Sequence, residues 1–315
     1  MTETESYSLD ETSPDHRSGF VAVIGRPNVG KSTLMNRFVG QKVAIVSPKP
    51  QTTRSRILGI LTLEDRDAQV IFVDTPGLHR PRHKLGQAMV ATATRAIPDA
   101  DVILFMVDVS VMPTEEDRMI AGLLQERAQA PVILVLNKMD LLPAEKVKPH
   151  TQSYWELVPY FHEWMMTIAT EGVNLDELLG LIVGALPEGP RYYPGDQVTD
   201  QTEREIAAEL VREQVLRYTR QEVPHAVAVV VEEFKERENG MIYVAANVFV
   251  EKDSQKGIII GRRGEMLRQI GAAARQEIER MTGGQVYLDL WVKVRKGWRR
   301  DEKELRRLGY GVRGG

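Results

Sequence analysis

The run Gly25-Arg26-Pro27-Asn28-Val29-Gly30-Lys31-Ser32 fits the pattern G-x-x-x-x-G-K-S/T. A loop of this kind, set between a strand and a helix, aims successive backbone N–H groups at one anion, and the helix dipole adds positive potential there. The β-rich residues 20–24 precede the run and the helix-like residues 32–39 follow it, so that setting is met. Glycine is needed where backbone must come close to a phosphate. Lys31 supplies a cation for the β- and γ-phosphates of a nucleotide, and the Ser32 hydroxyl suits Mg²⁺. The whole run from Gly25 to Ser32 is therefore expected to surround a bound polyphosphate.

Two later tetrapeptides name the nucleotide further. Asp74-Thr75-Pro76-Gly77 follows the apolar residues 70–73, which places Asp74 at a strand's carboxyl end, where it can hold Mg²⁺ through water. The Gly77 N–H can turn toward a γ-phosphate. Asn137-Lys138-Met139-Asp140 follows the apolar residues 132–136. The Asp140 carboxylate can accept two hydrogen bonds, from guanine N1–H and from the 2-amino group. Adenine has neither group and is rejected. Asn137 can tie this loop to the phosphate loop, and the Lys138 stem can cover the face of the base. Between the phosphate loop and Asp74 lies Pro50-Gln51-Thr52-Thr53-Arg54, from which Thr53, with Thr52 as the alternative, is expected to sense Mg²⁺ and the γ-phosphate. Residue 78 is leucine, which cannot orient an attacking water as a glutamine does, so intrinsic hydrolysis of GTP to GDP is expected to be slow.

These motifs need strands that end at one edge of a sheet. The runs 20–24, 70–73, 102–107 and 132–136 are short and almost wholly apolar, as parallel strands buried on both faces are. Amphipathic stretches lie between them, such as Glu115–Arg127 entered through Thr114. This rhythm predicts an α/β domain with a doubly wound sheet. Three prolines and two glycines in 186–198 read as a linker. Beyond it the order becomes αββααβ: a helix over Glu203–Tyr218, strands over 226–234 and 241–250, an apolar run 258–260 leading into a turn and a long helix to about 281, and a last strand over Val286–Val294. That is a smaller α+β domain. The expected divisions are an acidic disordered tail 1–18, a nucleotide domain 19–187, a linker 188–200, a second domain 201–296 and a basic tail 297–315.

Composition bounds the rest. The 315 residues are 43% hydrophobic and 27% charged, enough apolar content for two packed domains and too much for wholesale disorder. Cysteine is absent, which excludes disulfides, thiolate catalysis and cysteine-held zinc. No apolar run reaches the roughly 18 residues of a membrane span. The first 18 residues hold five acids and one arginine with no apolar stretch, unlike a signal peptide. The net charge of −3 conceals a basic final quarter: 251–315 holds 16 Lys and Arg against 9 Asp and Glu, which leaves −10 on the first 250 residues. A basic surface of this kind meets an anion such as nucleic acid or anionic lipid.

Gly261-Arg262-Arg263-Gly264 lies in that quarter, between the apolar residues Ile258, Ile259 and Ile260 and a helix. A GxxG loop clamps the backbone of single-stranded RNA in KH domains. The αββααβ order, the apolar run and the basic surroundings, Lys293 and Arg295 among them, favour the RNA reading over a plain helix cap. A metabolic P-loop kinase or ATPase is disfavoured by Asn137-Lys138-Met139-Asp140. A lipid-binding role for the basic residues 295–307 stays open beside RNA.

The chain as a whole resembles the bacterial Era GTPase family from about residue 19 to residue 312. The resemblance rests on GRPNVGKSTLMN, PQTTR, DTPG, NKMD, LRYTRQEVPH, IIIGRRG and LWVKVRKGWRRDEKELRRLGY. It implies a Ras-like G domain followed by a type II KH domain, and a GTP-hydrolysing switch that takes GTP or GDP with Mg²⁺. It further implies binding to the 3′ end of 16S ribosomal RNA, a part in assembly and maturation of the 30S subunit, and a monomeric cytoplasmic protein that touches the inner face of the cell membrane peripherally. Asn28 matches an asparagine with which cation-dependent members hold K⁺, and a hydrophobic Leu78 fits that class. Where the family's guanine loop usually reads Ser-Ala, this chain has Ile168-Ala169, with the Ala169 N–H left to meet guanine O6.

Overall fold

A computed structural model describes residues 13–81 and 83–310. They form two compact units, and neither is continuous in sequence. One gathers the chain up to Gln41 with 57–75 and 95–200, the other 42–56, 76–94 and the chain from Gln201 onward.

In the first unit β1 (Arg17–Ile24) leads into α1 (Lys31–Val39), and β2 (Ile57–Leu63) returns antiparallel to β3 (Ala68–Asp74). The connection that follows carries α2 (Lys84–Arg95), most of which belongs to the second unit. Then come β4 (Val102–Asp108), α3 (Glu115–Arg127), β5 (Val132–Asn137), α4 (Val147–Leu157), β6 (Glu163–Thr167) and α5 (Leu175–Ala185). The sheet order is β2-β3-β1-β4-β5-β6, parallel except at the β2 edge. The strands read from the apolar runs are parallel to one another, as expected, and the antiparallel edge strand β2 makes the sheet mixed. β3, β4 and β5 are buried along their whole length, which is why they read as unbroken apolar runs. α3 starts with a full capping box: Thr114 accepts from the Asp117 N–H, and the Asp117 carboxylate accepts from Thr114 N at 2.9 Å.

The proline-rich 188–200 segment is fastened to this unit. Gln69, wholly buried on β3, accepts from the amides of Tyr192 and Tyr193 and donates to Tyr193 O at 2.8 Å. Ile60 N donates to Val198 O, and the Thr199 hydroxyl to Leu58 O at 2.7 Å. These bonds hold the segment on the sheet. Of the acidic tail expected over 1–18, residues 1–12 lie outside the described residues, and β1 already begins at Arg17.

The second unit has the αββααβ order: α6 (Glu203–Tyr218), a short α7 (Val223–Ala226), β7 (Ala228–Glu236), β8 (Ile242–Val250), α8 (Asp253–Ile260), α9 (Glu265–Thr282) and β9 (Val286–Val294). β8 is central, antiparallel to β7 and parallel to β9. The apolar residues 258–260 are the last turn of helix α8. Residues 297–310 are folded and not a tail. Trp298 is completely buried, donates its indole N–H to Ala226 O at 3.0 Å and stacks on Tyr310, while α10 (Glu302–Arg307) adds Leu305 to the same cluster.

The two inserted segments lie in this unit's core. Ile45 joins the main apolar cluster, and Leu85 and Met89 of α2 pack with Trp298 and Phe249. Arg54 is buried, donates to the carbonyls of Val227, Pro224 and His225, and lies against the rings of Trp298 and Tyr310. Arg212 of α6, also buried, donates to Thr52 O and to Glu209. Lys42 pairs with Glu213 at 2.5 Å and Glu277 at 3.0 Å. Polar residues of α6 are thus buried because 42–56 covers the helix face that solvent would otherwise meet.

Candidate functional site

The phosphate loop forms by a left-handed turn and two close approaches. Asn28 has φ 64° and Gly30 φ 111°. A Cβ on Gly30 would fall 2.5 Å from Asn137 Nδ2, and one on Gly25 would fall 2.3 Å from Met106 O, so neither position admits a side chain. Val29 is buried beneath the loop. The Lys31 ammonium donates to the carbonyls of Gly25 at 3.1 Å and Arg26 at 3.0 Å. The Ser32 hydroxyl donates to Asp74 Oδ2 at 2.6 Å, which brings together the two oxygen donors expected to serve Mg²⁺. A hydroxyl beside a carboxylate is a hard donor set of the kind Mg²⁺ takes. Among the described residues no cluster of three His, Asp or Glu offers another metal site. The Thr75 hydroxyl donates to Val23 O at 2.8 Å and fixes the turn after Asp74.

The 137–140 loop, expected to read guanine, is tied to the phosphate loop. Asn137 Nδ2 donates to Val29 O at 2.7 Å. Its Oδ1 accepts from the Thr167 hydroxyl at 3.1 Å and from Ala169 N at 3.0 Å. In this structure the Ala169 amide therefore braces Asn137, where the sequence led us to expect it to face a base oxygen. Ile168, in the serine position, is buried, and its carbonyl accepts from Gly172 N at 2.8 Å, so backbone supports this loop without a hydroxyl. Lys138 has a left-handed backbone, φ 64°, after which Met139 and Asp140 form a short turn that leaves Asp140 exposed.

Other expected residues fall elsewhere. Thr53, Gly77 and Leu78 belong to the second unit, Thr53 and Leu78 buried. His79, which the sequence did not single out, joins their two segments: its Nδ1 lies 2.9 Å from Gly77 O and its Nε2 2.9 Å from Gln51 Nε2. Pro76 opens the second segment. The Arg26 guanidinium turns to Asp117 at 3.3 Å and Asp108 at 3.8 Å, so its backbone alone serves the phosphate loop. Pro27 is half-buried beside it.

Burial pulls Lys31 down to about 8 from 10.5; the Asp74 carboxylate opposes this and the Arg26 charge adds to it. Between pH 8 and 10.5 the folded state holds fewer protons than the unfolded, so stability without nucleotide should rise with pH across that window. A bound polyphosphate restores the ammonium. Nucleotide binding at pH 8.5 should therefore take up a fraction of a proton, and at pH 6.5 none. Calorimetry in two buffers of different ionisation enthalpy measures this, and equal uptake at both pH values would contradict it.

In the second unit Gly261 (φ 72°) and Gly264 (φ 78°) flank Arg262 and Arg263, both exposed, and Arg263 is also left-handed (φ 51°). A Cβ on Gly261 would meet Met266 Cβ at 2.6 Å. Of the three isoleucines, Ile258 is half-exposed, Ile259 is wholly buried in the core and Ile260 packs beside it. Ile259 is therefore a core residue and not a contact. Arg295 is partly exposed, paired with Glu304 at 2.8 Å and placed over the Phe249 ring, and Lys293 is exposed.

Known proteins agree with both halves of this description. Residues 20–138 match the family model "50S ribosome-binding GTPase", and residues 222–299 match "KH domain". The chain is 49% identical to GTPase Era of Heliobacterium modesticaldum over 93% of its length and 97% of the relative's. It is 52% identical to GTPase Era of Caldanaerobacter subterraneus over 94% and 99%. Among solved structures it is similar to Era in complex with MgGDPNP and nucleotides 1506–1542 of 16S ribosomal RNA, at TM-score 0.89 and 42% identity, covering 94% of this chain and 100% of that one. A single-substitution variant of Aquifex aeolicus Era bound to GDP and AlF4⁻ gives the same values. With a phosphate loop tied to the 137–140 loop in one unit, a GxxG turn in the other, and near-complete coverage at these identities, the chain belongs to the Era GTPase family.

Proposed function

We propose that this protein is a GTP-hydrolysing, Mg²⁺-dependent switch that binds the 3′ end of 16S ribosomal RNA and assists assembly and maturation of the 30S subunit. The observation that carries the reading is the joining of Asn137 to Val29, which fixes the guanine loop to the phosphate loop, in a chain that also presents Arg262 and Arg263 on a GxxG turn. Thr53 supports the word switch. It stands between Thr52, whose carbonyl is held by Arg212, and Arg54, which is held by the carbonyls of 224–227. Both anchors lie in the unit that carries the GxxG turn, so a change at Thr53 would be felt there. Binding of an oligonucleotide copying the 3′ end of small-subunit rRNA, compared with a scrambled sequence of equal length, tests the reading. We expect at least tenfold tighter binding of the true sequence; equal affinity overturns it.

Hydrolysis in this reading uses K⁺ held by Asn28, because Leu78 cannot orient water. Asn28 is exposed on the loop in a left-handed conformation. A cation at the developing charge stabilises the transition state by several kcal/mol in comparable sites. GTPase rates in matched KCl and NaCl should differ by tenfold or more, and Asn28→Ala should abolish the difference. Equal rates would remove K⁺ from the account. We also take the protein to act as a cytoplasmic monomer. Among the described residues no helix is long and apolar enough to cross a membrane, so contact with the inner membrane face would be peripheral, through the basic C-terminal surface. Competition between anionic liposomes and RNA tests that contact.

A further inference from the structure

Asp108 ends β4 beside the guanine loop, and no motif in the sequence points to it. Its carboxylate makes contacts from three directions. Oδ2 accepts from Lys138 Nζ at 2.7 Å and lies 3.8 Å from the Arg26 guanidinium, and Oδ1 accepts from the Ser110 hydroxyl and amide. Arg26 is held in turn at 3.3 Å by Asp117, whose carboxylate is fully buried in the α3 capping box. The Arg26 carbonyl is one of the two that receive Lys31. One charged chain thus runs from Lys138 through Asp108 to Arg26, and from the Arg26 backbone to the phosphate-loop lysine.

Lys138 is the residue this chain has reason to hold. It sits at φ 64°, a conformation that costs an L-residue energy and persists only where surrounding contacts enforce it. That turn takes the chain out of β5 and aims Asp140 outward. The Asn137 bond to Val29 fixes the residue before the turn, but it does not set the path of the Lys138 side chain. Asp108 does, by holding the ammonium at 2.7 Å beside the end of β4; in this reading the aliphatic stem then covers the face of the base. Burial opposes ionisation of Asp108, yet the Lys138 and Ser110 hydrogen bonds and the Arg26 charge outweigh it and keep its carboxyl below the usual carboxylate range.

We propose that Asp108 is a positioning residue for guanine-nucleotide binding: it holds Lys138 in its strained turn and couples the guanine loop to the phosphate loop through Arg26. The inference rests on reading 137–140 as the guanine loop. It acts on the part of the site that GDP and GTP share, so Asp108→Ala should weaken both nucleotides alike, by about tenfold, with the ratio of their affinities unchanged. In a Lys138→Ala background, Asp108→Ala should add less than twofold, because the group it positions is gone. Asp108→Asn, which keeps the shape and the Ser110 contacts, should fall between wild type and Asp108→Ala and guards against loss of fold. The experiment titrates fluorescent GDP and a non-hydrolysable GTP analogue into the full-length single and double variants. An equal loss in both Lys138 backgrounds, or no loss in either, overturns the inference. Asp140→Asn is measured in parallel: if that variant still prefers guanine, the loop reading itself fails, whereas a shifted base preference with an unaffected Asp108→Ala condemns this inference alone.

Discussion

Asp140→Asn should convert a guanine-binding protein into one that prefers xanthine. The carboxylate accepts two hydrogens from guanine, at N1 and the 2-amino group, and the asparagine amide turns one acceptor into a donor. Xanthine carries a carbonyl at position 2, and the amide can donate to it. Sites that read a base by buried hydrogen bonds reject the wrong partner by about 10⁴–10⁵, because a polar group is left unpaired. Asp140 stands on a turn fixed at both ends, by Asn137 to Val29 and by the turn bond from Leu142 N to Met139 O, so the replacement should not relax the loop. Competition between GTP and XTP against a fluorescent nucleotide measures the ratio. A variant that keeps its preference for GTP would show that some other residue reads the base.

Reversing charge at the GxxG turn should nearly abolish RNA binding and leave the nucleotide site alone. Arg262 and Arg263 are exposed, and no shift of backbone is needed to accept aspartate at Arg262; Arg263, at φ 51°, also tolerates aspartate, a residue found in the left-handed region. Each lost phosphate contact lowers the salt slope of log affinity by about 0.7 for a single strand. The double Asp variant should lose a hundredfold or more at low salt, with its slope reduced by about 1.4. GTP binding should persist, since Lys31, Asp74 and Asp140 lie in the other unit. Anisotropy across a salt series, beside a GTPase assay, reads both arms. Wild-type RNA affinity at every salt concentration would reduce the loop to a helix cap.

The nucleotide motifs were legible because their chemistry is local: each needs a few residues in sequence at a strand end, and β3, β4 and β5 are so thoroughly buried that their apolar runs announce them. β2 was not legible. It is an antiparallel edge strand whose pattern, ILGILTL, gives no more alternation than a loop. The basic tail read from 297 onward is a folded cap because Trp298, one aromatic among many charges, finds a deep site under Arg54 and Tyr310. Such a partner, more than 240 residues away in the chain, leaves no periodic trace. The same holds for Arg54, Arg212 and Lys42. Charged residues read as solvated, and only the fold shows that Arg54 and Arg212 are buried and that Lys42, partly exposed, is paired with Glu213 and Glu277. Asp108 was invisible for a further reason: its role comes from a side chain on the neighbouring strand's loop, and strand order is not written in any one segment.

The central claim, that a guanine-nucleotide switch and a reader of the ribosomal RNA 3′ end reside in this one chain, is tested most directly by crosslinking the protein to RNA in living cells and sequencing what it holds. The account predicts that crosslinked fragments concentrate at the 3′ end of small-subunit ribosomal RNA and that the Arg262→Asp, Arg263→Asp protein loses them while still hydrolysing GTP. Fragments spread evenly over unrelated RNAs, or an undiminished pattern in that variant, would contradict it.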